Sequence, residues 1–499
     1  MALSVAAQGR RISHIVFVGL LLDILSFTII LPLLPRSLEA YKAREGADAS
    51  TLLGSLLQHI SQLRTSIQTH SPTSRFLQQG ARADLVLLGG LLGSLYSMLQ
   101  CIVAPVIGRL ADRQGRRRTL MLCMAGNILW TVIWVFAGSF EMFLAARVIA
   151  GLSEGNVQLS NTIIADVTDP TTRSHGMALV GIAFAVGFTL GPSIGAYFAR
   201  LPLESADAKS VFSYAPFAMA ALFSLALLLA ESLYLFVRLP ETLHFRRDSG
   251  RAAAAVVVAS DSGTEDASSV NGTSPVNGTE PVKVTESAKV TESVTDSRTL
   301  RRLNLLHFAY LFFFSGMEYT LTFLTHDKFQ FTNAQQGKLL GFIGITSTLL
   351  QGGWVRRIKG KSAHRDKGLV ARGMVCCALG LLCIAHCSRN TQASANAPSW
   401  TLWAGALGFA VASATVVNCL NSMVSLATRD RETGRRLGDF RSFGQIGRAL
   451  GPVFACSVYW LLGPATCYLI GALAVAVISA VFIALVPTNP QVSSAKKSN

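Results

Sequence analysis

The string GRLADRQGRRR, residues 108–118, lies between two long apolar runs near 85–106 and 119–138. Gly108 and Gly115 permit a tight turn between them. Asp112 sits among Arg109, Arg113, Arg116, Arg117 and Arg118. Beside a neighbouring helix N-terminus it can form a charge-assisted latch. A plain basic loop at a membrane face would explain the arginines, but not an acid held between two glycines.

Working outward, apolar segments recur along the chain. They fall near 15–35, 85–106, 119–138, 141–163, 175–199 and 213–237, then near 303–325, 335–355, 369–387, 399–421, 441–462 and 465–486. Each approaches the roughly 20 residues that span a bilayer core. The expectation is an all-α membrane protein with twelve transmembrane helices in two six-helix bundles. Composition agrees, with 51% hydrophobic and only 14% charged residues among 499. Soluble domains carry about a quarter charged residues. The formal net charge of +16 would suit nucleic acid. The basic residues gather instead in alternate loops: 109–118, then Arg356, Arg357, Lys359, Lys361, Arg365 and Lys367, then Arg429, Arg431, Arg435 and Arg436. That bias places both termini in the cytoplasm and needs no polyanionic partner. Arg10 and Arg11 precede an apolar run from Ile15 to Leu34, which reads as a retained first helix rather than a cleavable signal. The plasma membrane is the default location, with the nuclear envelope or lysosome as alternatives.

The halves are expected at 1–237 and 301–487, joined by a cytoplasmic disordered linker at 238–300 and followed by a tail at 488–499. The near-repeats VKVTES and AKVTES suit such a linker. The sequons at Asn271 and Asn277 would there escape glycosylation. A long outward loop, 36–84, carries Leu52, Leu53, Leu56, Leu57, Ile60, Leu63 and Ile67 at helical spacing, predicting an amphipathic helix over the mouth. It reads equally as a lid or as a surface helix.

Charges inside apolar spans are costly and default to function. Arg147 and Glu154 lie two turns apart in the fourth span and would share one face. Asp23 lies deep in the first span and Glu318 in the seventh, near His326 and Asp327; either acid could carry a proton or fix helix register by pairing. Arg448 in the eleventh span would give the cavity a second fixed cation beside Arg147, suiting an anionic substrate. Either arginine could instead pair with Asp23, Glu154 or Glu318. Asn418 and Asn421 could add polar contacts. Gly187, Gly191, Pro192 and Gly195 allow close helix approach around a proline kink, and Gly451-Pro452 echoes Gly191-Pro192 at the same ordinal span.

The 108–118 string resembles the loop G-x-L-a-D-r-x-G-r-(K/R) of the major facilitator superfamily. The resemblance implies that Gly108, Asp112, Gly115 and Arg116 gate the rocking of one half against the other. Gly352-Gly353-Trp354-Val355-Arg356-Arg357 looks like a degraded copy without the acid. The sequence 187–195 is similar to the G-x-x-x-G-P-x-x-G signature of antiporter branches. Arg147 through Gly151 is similar to the R-x-x-x-G of drug:proton antiporters, where the arginine is linked to proton transfer. LLDILSFTIILPLLP and GMEYTLTFLTHDKFQFTNAQQGKLLGFIG resemble the tetracycline-transporter-like eukaryotic members, associated with efflux of amphipathic organic anions and drugs.

The expected activity is proton-coupled, alternating-access efflux of such a solute by a monomer in a lipid bilayer. Asp23, Glu154 and Glu318 would handle protons, while Arg147 and Arg448, with Asn418 and Asn421, would meet substrate. The alternatives are an uncoupled facilitator and a non-transporting adaptor or receptor that keeps the fold. No enzyme is expected, since neither a Walker loop nor a nucleophile–base set stands clear of the spans. No cofactor or metal is expected either. Cys376, Cys377, Cys383, Cys387 and His386 share one apolar segment, where cysteine packs as a small hydrophobe.

Overall fold

A computed structural model describes residues 5–30, 33–70, 81–169, 172–198, 217–243, 245, 284–329, 331, 333–355, 362–389, 400–428 and 432–486. Its described residues form helices and turns, with no strand. The helices are α1 (Val5–Thr28), α2 (Leu34–Glu45), α3 (Leu52–His70), α4 (Ala81–Gln114), α5 (Arg116–Val135), α6 (Phe140–Ser153), α7 (Asn156–Val167), α8 (Arg173–Phe198) and α9 (Ala218–Arg238). The second half adds α10 (Val284–Asp327), α11 (Asn333–Leu349) with a π-helical turn at Leu350–Val355, α12 (Ser362–Arg389), α13 (Trp400–Leu426), α14 (Thr433–Leu462) and α15 (Pro464–Leu485).

Eight of these helices are long and apolar enough to cross a membrane by themselves. The remaining four predicted spans fall short for physical reasons. The fourth breaks at Glu154–Gly155, leaving pieces of 14 and 12 residues. The eighth is a 17-residue helix running into the π turn. The seventh and eleventh hold Asn304, His307 and Glu318, and Arg441, Gln445 and Arg448, among their apolar residues.

Each half has its own packed interior. In the first, α1 packs on α8 and α9, and α5 on α6. In the second, α10 packs on α14, and α12 on α13 and α15. The halves meet where α4 lies along α14 and where α8 touches α11 and α13. Small residues set the closest approaches. A Cβ at Gly187 would strike Ile24, and one at Gly191 would strike Thr28. In the second half, a Cβ at Gly447 would strike the Phe308 carbonyl, and one at Gly451 the Phe312 carbonyl. Thr28 Oγ1 donates to the Gly187 carbonyl at 3.0 Å, and Ser315 Oγ donates to the Gly447 carbonyl at 3.5 Å. The α1–α8 and α10–α14 pairs are therefore built alike, down to a hydroxyl donated into a glycine carbonyl.

The long first loop is two helices rather than one. Leu53, Leu57 and Ile60 of α3 are buried beside Tyr41 of α2. The Tyr41 hydroxyl donates to the Ala137 carbonyl at 2.5 Å, and Glu45 accepts from the Phe140 amide at 3.3 Å. The cap is thereby tied to the α5–α6 turn. In the turn between α2 and α3, Ser50 donates to Asp48 and holds its carboxyl below the usual range. The side chains of Leu63 and Ile67 lie outside the described residues. Of the expected disordered linker, residues 246–283 also lie outside them. Its final stretch is helical, because α10 begins at Val284. No Gly or Pro follows Pro281 there, so the nucleated span helix extends backward at little cost.

Candidate transport and gating sites

At the latch end of the bundle, Gly115 turns the chain from α4 into α5 with φ of 103°, a conformation that favours glycine. A side chain there would also strike Glu241, whose carboxylate accepts from the Arg116 amide at 2.9 Å and the Arg117 amide at 3.2 Å. Glu241 thus caps α5. Asp112 is left to serve the other half: it accepts from the Gly434 amide at 3.0 Å and the Arg435 amide at 2.8 Å, at the N-terminus of α14. Arg116, 1% exposed, donates to Asp112 at 2.6 Å and to Asp166 at 2.8 Å. Gly108 faces the Gly434 carbonyl so closely that a Cβ would collide with it. Gln158 reaches the Gly434 carbonyl at 3.4 Å, and Arg173 the Ser425 carbonyl at 3.2 Å. All four latch residues named from the sequence sit in this junction, which holds the halves together.

Deeper in the first half, the break in the fourth span aims Glu154 at its neighbours. Tyr96 donates to Glu154 Oε2 at 3.3 Å, and Arg441 of α14 approaches Glu154 Oε1 at 3.5 Å. That ion pair crosses between the halves. Arg441 also reaches Gln100 at 3.2 Å. Asp23, 5% exposed, accepts from Asn156 at 2.9 Å. Asp23 and Glu154 line one cleft with Ser26, Phe27, Tyr96, Asn127, Trp130 and Leu228. Its room is on the order of one water molecule, too little for an organic solute.

The other named residues do not line this cleft, although Arg147 lies over Trp130, which does. Because the helix breaks after Ser153, Arg147 and Glu154 do not continue one regular face. Arg147 is buried with its guanidinium 5.3 Å from the ring centres of both Trp130 and Phe143. Glu318 and Arg448 are both exposed side chains, close enough to interact electrostatically. They are not in ion-pair contact, and the side chains of His326 and Asp327 lie outside the described residues. Asn418 packs with Gln351 against Gly181, across the seam between halves, and Asn421 is half-buried. Gly191 and Pro192 lie within α8, with Gly195 buried one turn on.

Sequence reasoning passed over Arg441, Tyr96, Asn156 and Glu231. Arg441 sits at the start of an apolar run and reads as a loop edge. Glu231 lies inside LALLLAESLYLF, and the rule that flagged Asp23 applies to it equally.

A family model for the Major Facilitator Superfamily matches residues 16–452. The chain belongs to the major facilitator superfamily. It is 38% identical to the mouse (Mus musculus) major facilitator superfamily domain-containing protein 10, over 93% of this chain and 90% of that one. The crystal structure of the human organic anion transporter MFSD10 (TETRAN) matches with a TM-score of 0.73 at 35% identity, covering 95% of this chain and 99% of that one. A tetracycline resistance protein, class E, of Escherichia coli is 34% identical over 116 residues, 23% of this chain and 29% of that one. As a member of this superfamily, the chain is a multi-pass membrane transporter and not an enzyme.

Proposed function

We propose that this superfamily transporter is a proton-coupled exporter of amphipathic organic anions that works by alternating access as a monomer. The observation that carries the reading is the Glu154–Arg441 pair, 3.5 Å apart between halves, beside a cleft that holds Asp23 and no room for a solute. An acid whose cation, among the described residues, belongs to the other half changes its need for a proton whenever the halves part. Asp23 and Glu154 are the proton carriers in this reading, and Glu318 a second-half candidate. Arg448, exposed beside Glu318, is the cation offered to an anionic solute, with Asn418 and Asn421 along the seam. Arg147, stacked between rings, supports the first half from within. The Asp112 junction is the gate, Gly187, Gly191, Pro192 and Gly195 the bending element, and the anion preference is carried over from the human relative's description. Both termini are cytoplasmic and the membrane is the plasma membrane, on the basic-loop bias and as a default, respectively.

The test is uptake of carboxyfluorescein into proteoliposomes holding the full chain, with and without a pH gradient. The gradient is expected to drive accumulation, and Asp23→Asn to abolish its effect while leaving the protein folded. Accumulation that ignores the gradient would identify an uncoupled facilitator instead.

A further inference from the structure

α9 carries a single acid, Glu231, in the middle of an apolar span. It is 1% exposed, and its Oε2 has no hydrogen-bond partner among the described residues. Two contacts fix its level. Ser224 of α9 bonds Ser26 of α1 through their hydroxyls at 2.6 Å, and Leu235 packs against Gly19. Between these contacts, Glu231 falls within about one helical turn of Asp23 along the bundle. Leu228, one turn earlier on the same face, lines the cleft with Asp23 and Glu154. Both of those carboxylates act electrostatically on Glu231.

The surroundings are rich in acceptors. Asn127 Oδ1 and Asn156 Oδ1 are buried without donors, and Asn127 lines the cleft itself. From α5 the Cys123 thiol joins the same electrostatic group, and from α4 Tyr96 spends its hydroxyl on Glu154. Arg441 of α14 is engaged at Glu154, and Arg147 lies over Trp130 and Phe143. A charge on Glu231 would therefore meet two carboxylates and, among the described residues, no cation of its own. Three like groups so placed cannot all ionise together.

We propose that Glu231 is a third proton-carrying carboxyl of the cleft, exchanging its proton with the Asp23–Glu154 pair. The proposal rests on the proton-coupled reading above. The proton leaves Glu231 Oε2 and binds a carboxylate oxygen of Asp23 or Glu154, directly or through a water in the cleft. The total charge of the three is unchanged by that step. It changes only when a proton enters or leaves the cleft. When Arg441 withdraws from Glu154, Glu231 passes its proton to Glu154 and is itself reprotonated from water, so the cleft as a whole gains one proton.

Infrared difference spectroscopy of the purified full chain between acid and alkaline pH tests this without a substrate. Glu231→Gln should remove one protonated-carboxyl C=O band that Asp23→Asn retains. Glu231→Asp should keep that band at a shifted frequency. Glu231→Gln should also shift the pH profile of carboxyfluorescein uptake in proteoliposomes. A folded Glu231→Gln protein whose spectrum superimposes on the wild type would overturn the proposal. If Glu231→Gln does not fold, an unshifted band in Glu231→Asp overturns it equally. Band loss in a protein whose uptake ignores the pH gradient would sustain the proton site while refuting coupled transport.

Discussion

Asp112 joins the halves with one carboxylate, which accepts two backbone amides of α14 and the Arg116 guanidinium. Hydrogen bonds to a charged group contribute roughly 1.5–3 kcal/mol each. The junction is partly open to solvent, so the lower figure applies. Asp112→Asn keeps the shape and removes the charge, while Arg116 keeps Asp166. The closed-to-open ratio of the latch should fall about tenfold, since 1.4 kcal/mol is a factor of ten in an equilibrium constant. Spin-label distances between the latch ends of α4 and α14 measure that population. Unchanged distances in Asp112→Asn would remove the carboxylate from the gate. Gly108 makes the same point sterically, since its lack of a side chain lets α4 lie against the Gly434 carbonyl.

Among the helices, the α1–α8 pair is closed by Gly187 and Gly191, and the α10–α14 pair by Gly447 and Gly451. The obstacles differ, and so should the responses. At Gly191 the added methyl of Gly191→Ala meets the Thr28 side chain; at Gly451 it meets the Phe312 backbone. Overpacking of this kind costs about 1–3 kcal/mol. Thr28→Ala combined with Gly191→Ala should recover about 1 kcal/mol of that cost, read from thermal unfolding in detergent as a double-mutant cycle. No side-chain deletion can relieve Gly451→Ala in this way. Strictly additive effects of the two substitutions on α1 and α8 would show that the helices do not meet there. The glycine strings and the latch string were legible in the sequence because spacing and apolar length are local properties, but which helices the glycines bring together was not. The break at Glu154 was not, because Leu152-Ser153-Glu154-Gly155 carries no obligatory helix stop and the fourth span reads as continuous. Nor was the choice of Arg441 over Arg448 as the partner of Glu154. Both arginines lie on α14, and which one faces the first half depends on that helix's rotation in the assembled bundle, not on local pattern.

Taken whole, the proposed proton-coupled cycle ties proton chemistry to the position of the halves through two contacts on α14. Asp112 holds its N-terminus, and Glu154 holds Arg441 two turns further in. Both must break for the latch end to open, and only the second is sensitive to protonation at the cleft. In that cycle Glu154 is ionised against Arg441 with the halves together; apart, it would be a buried charge without a partner, which costs roughly 3–5 kcal/mol unless it takes a proton. The parted state therefore binds more protons than the closed one, so raising the pH favours the closed latch and lowering it favours opening. Spin-label distances across the latch end should follow pH in that sense in the wild type. Arg441→Gln removes the differential, because Glu154 then has no cation in either state, and the pH response should flatten. Arg441→Lys, a point charge without the planar fork, should retain part of it. A pH response that survives intact in folded Arg441→Gln would place the coupling elsewhere, with Glu318 and Arg448 of the second half the next charges to test.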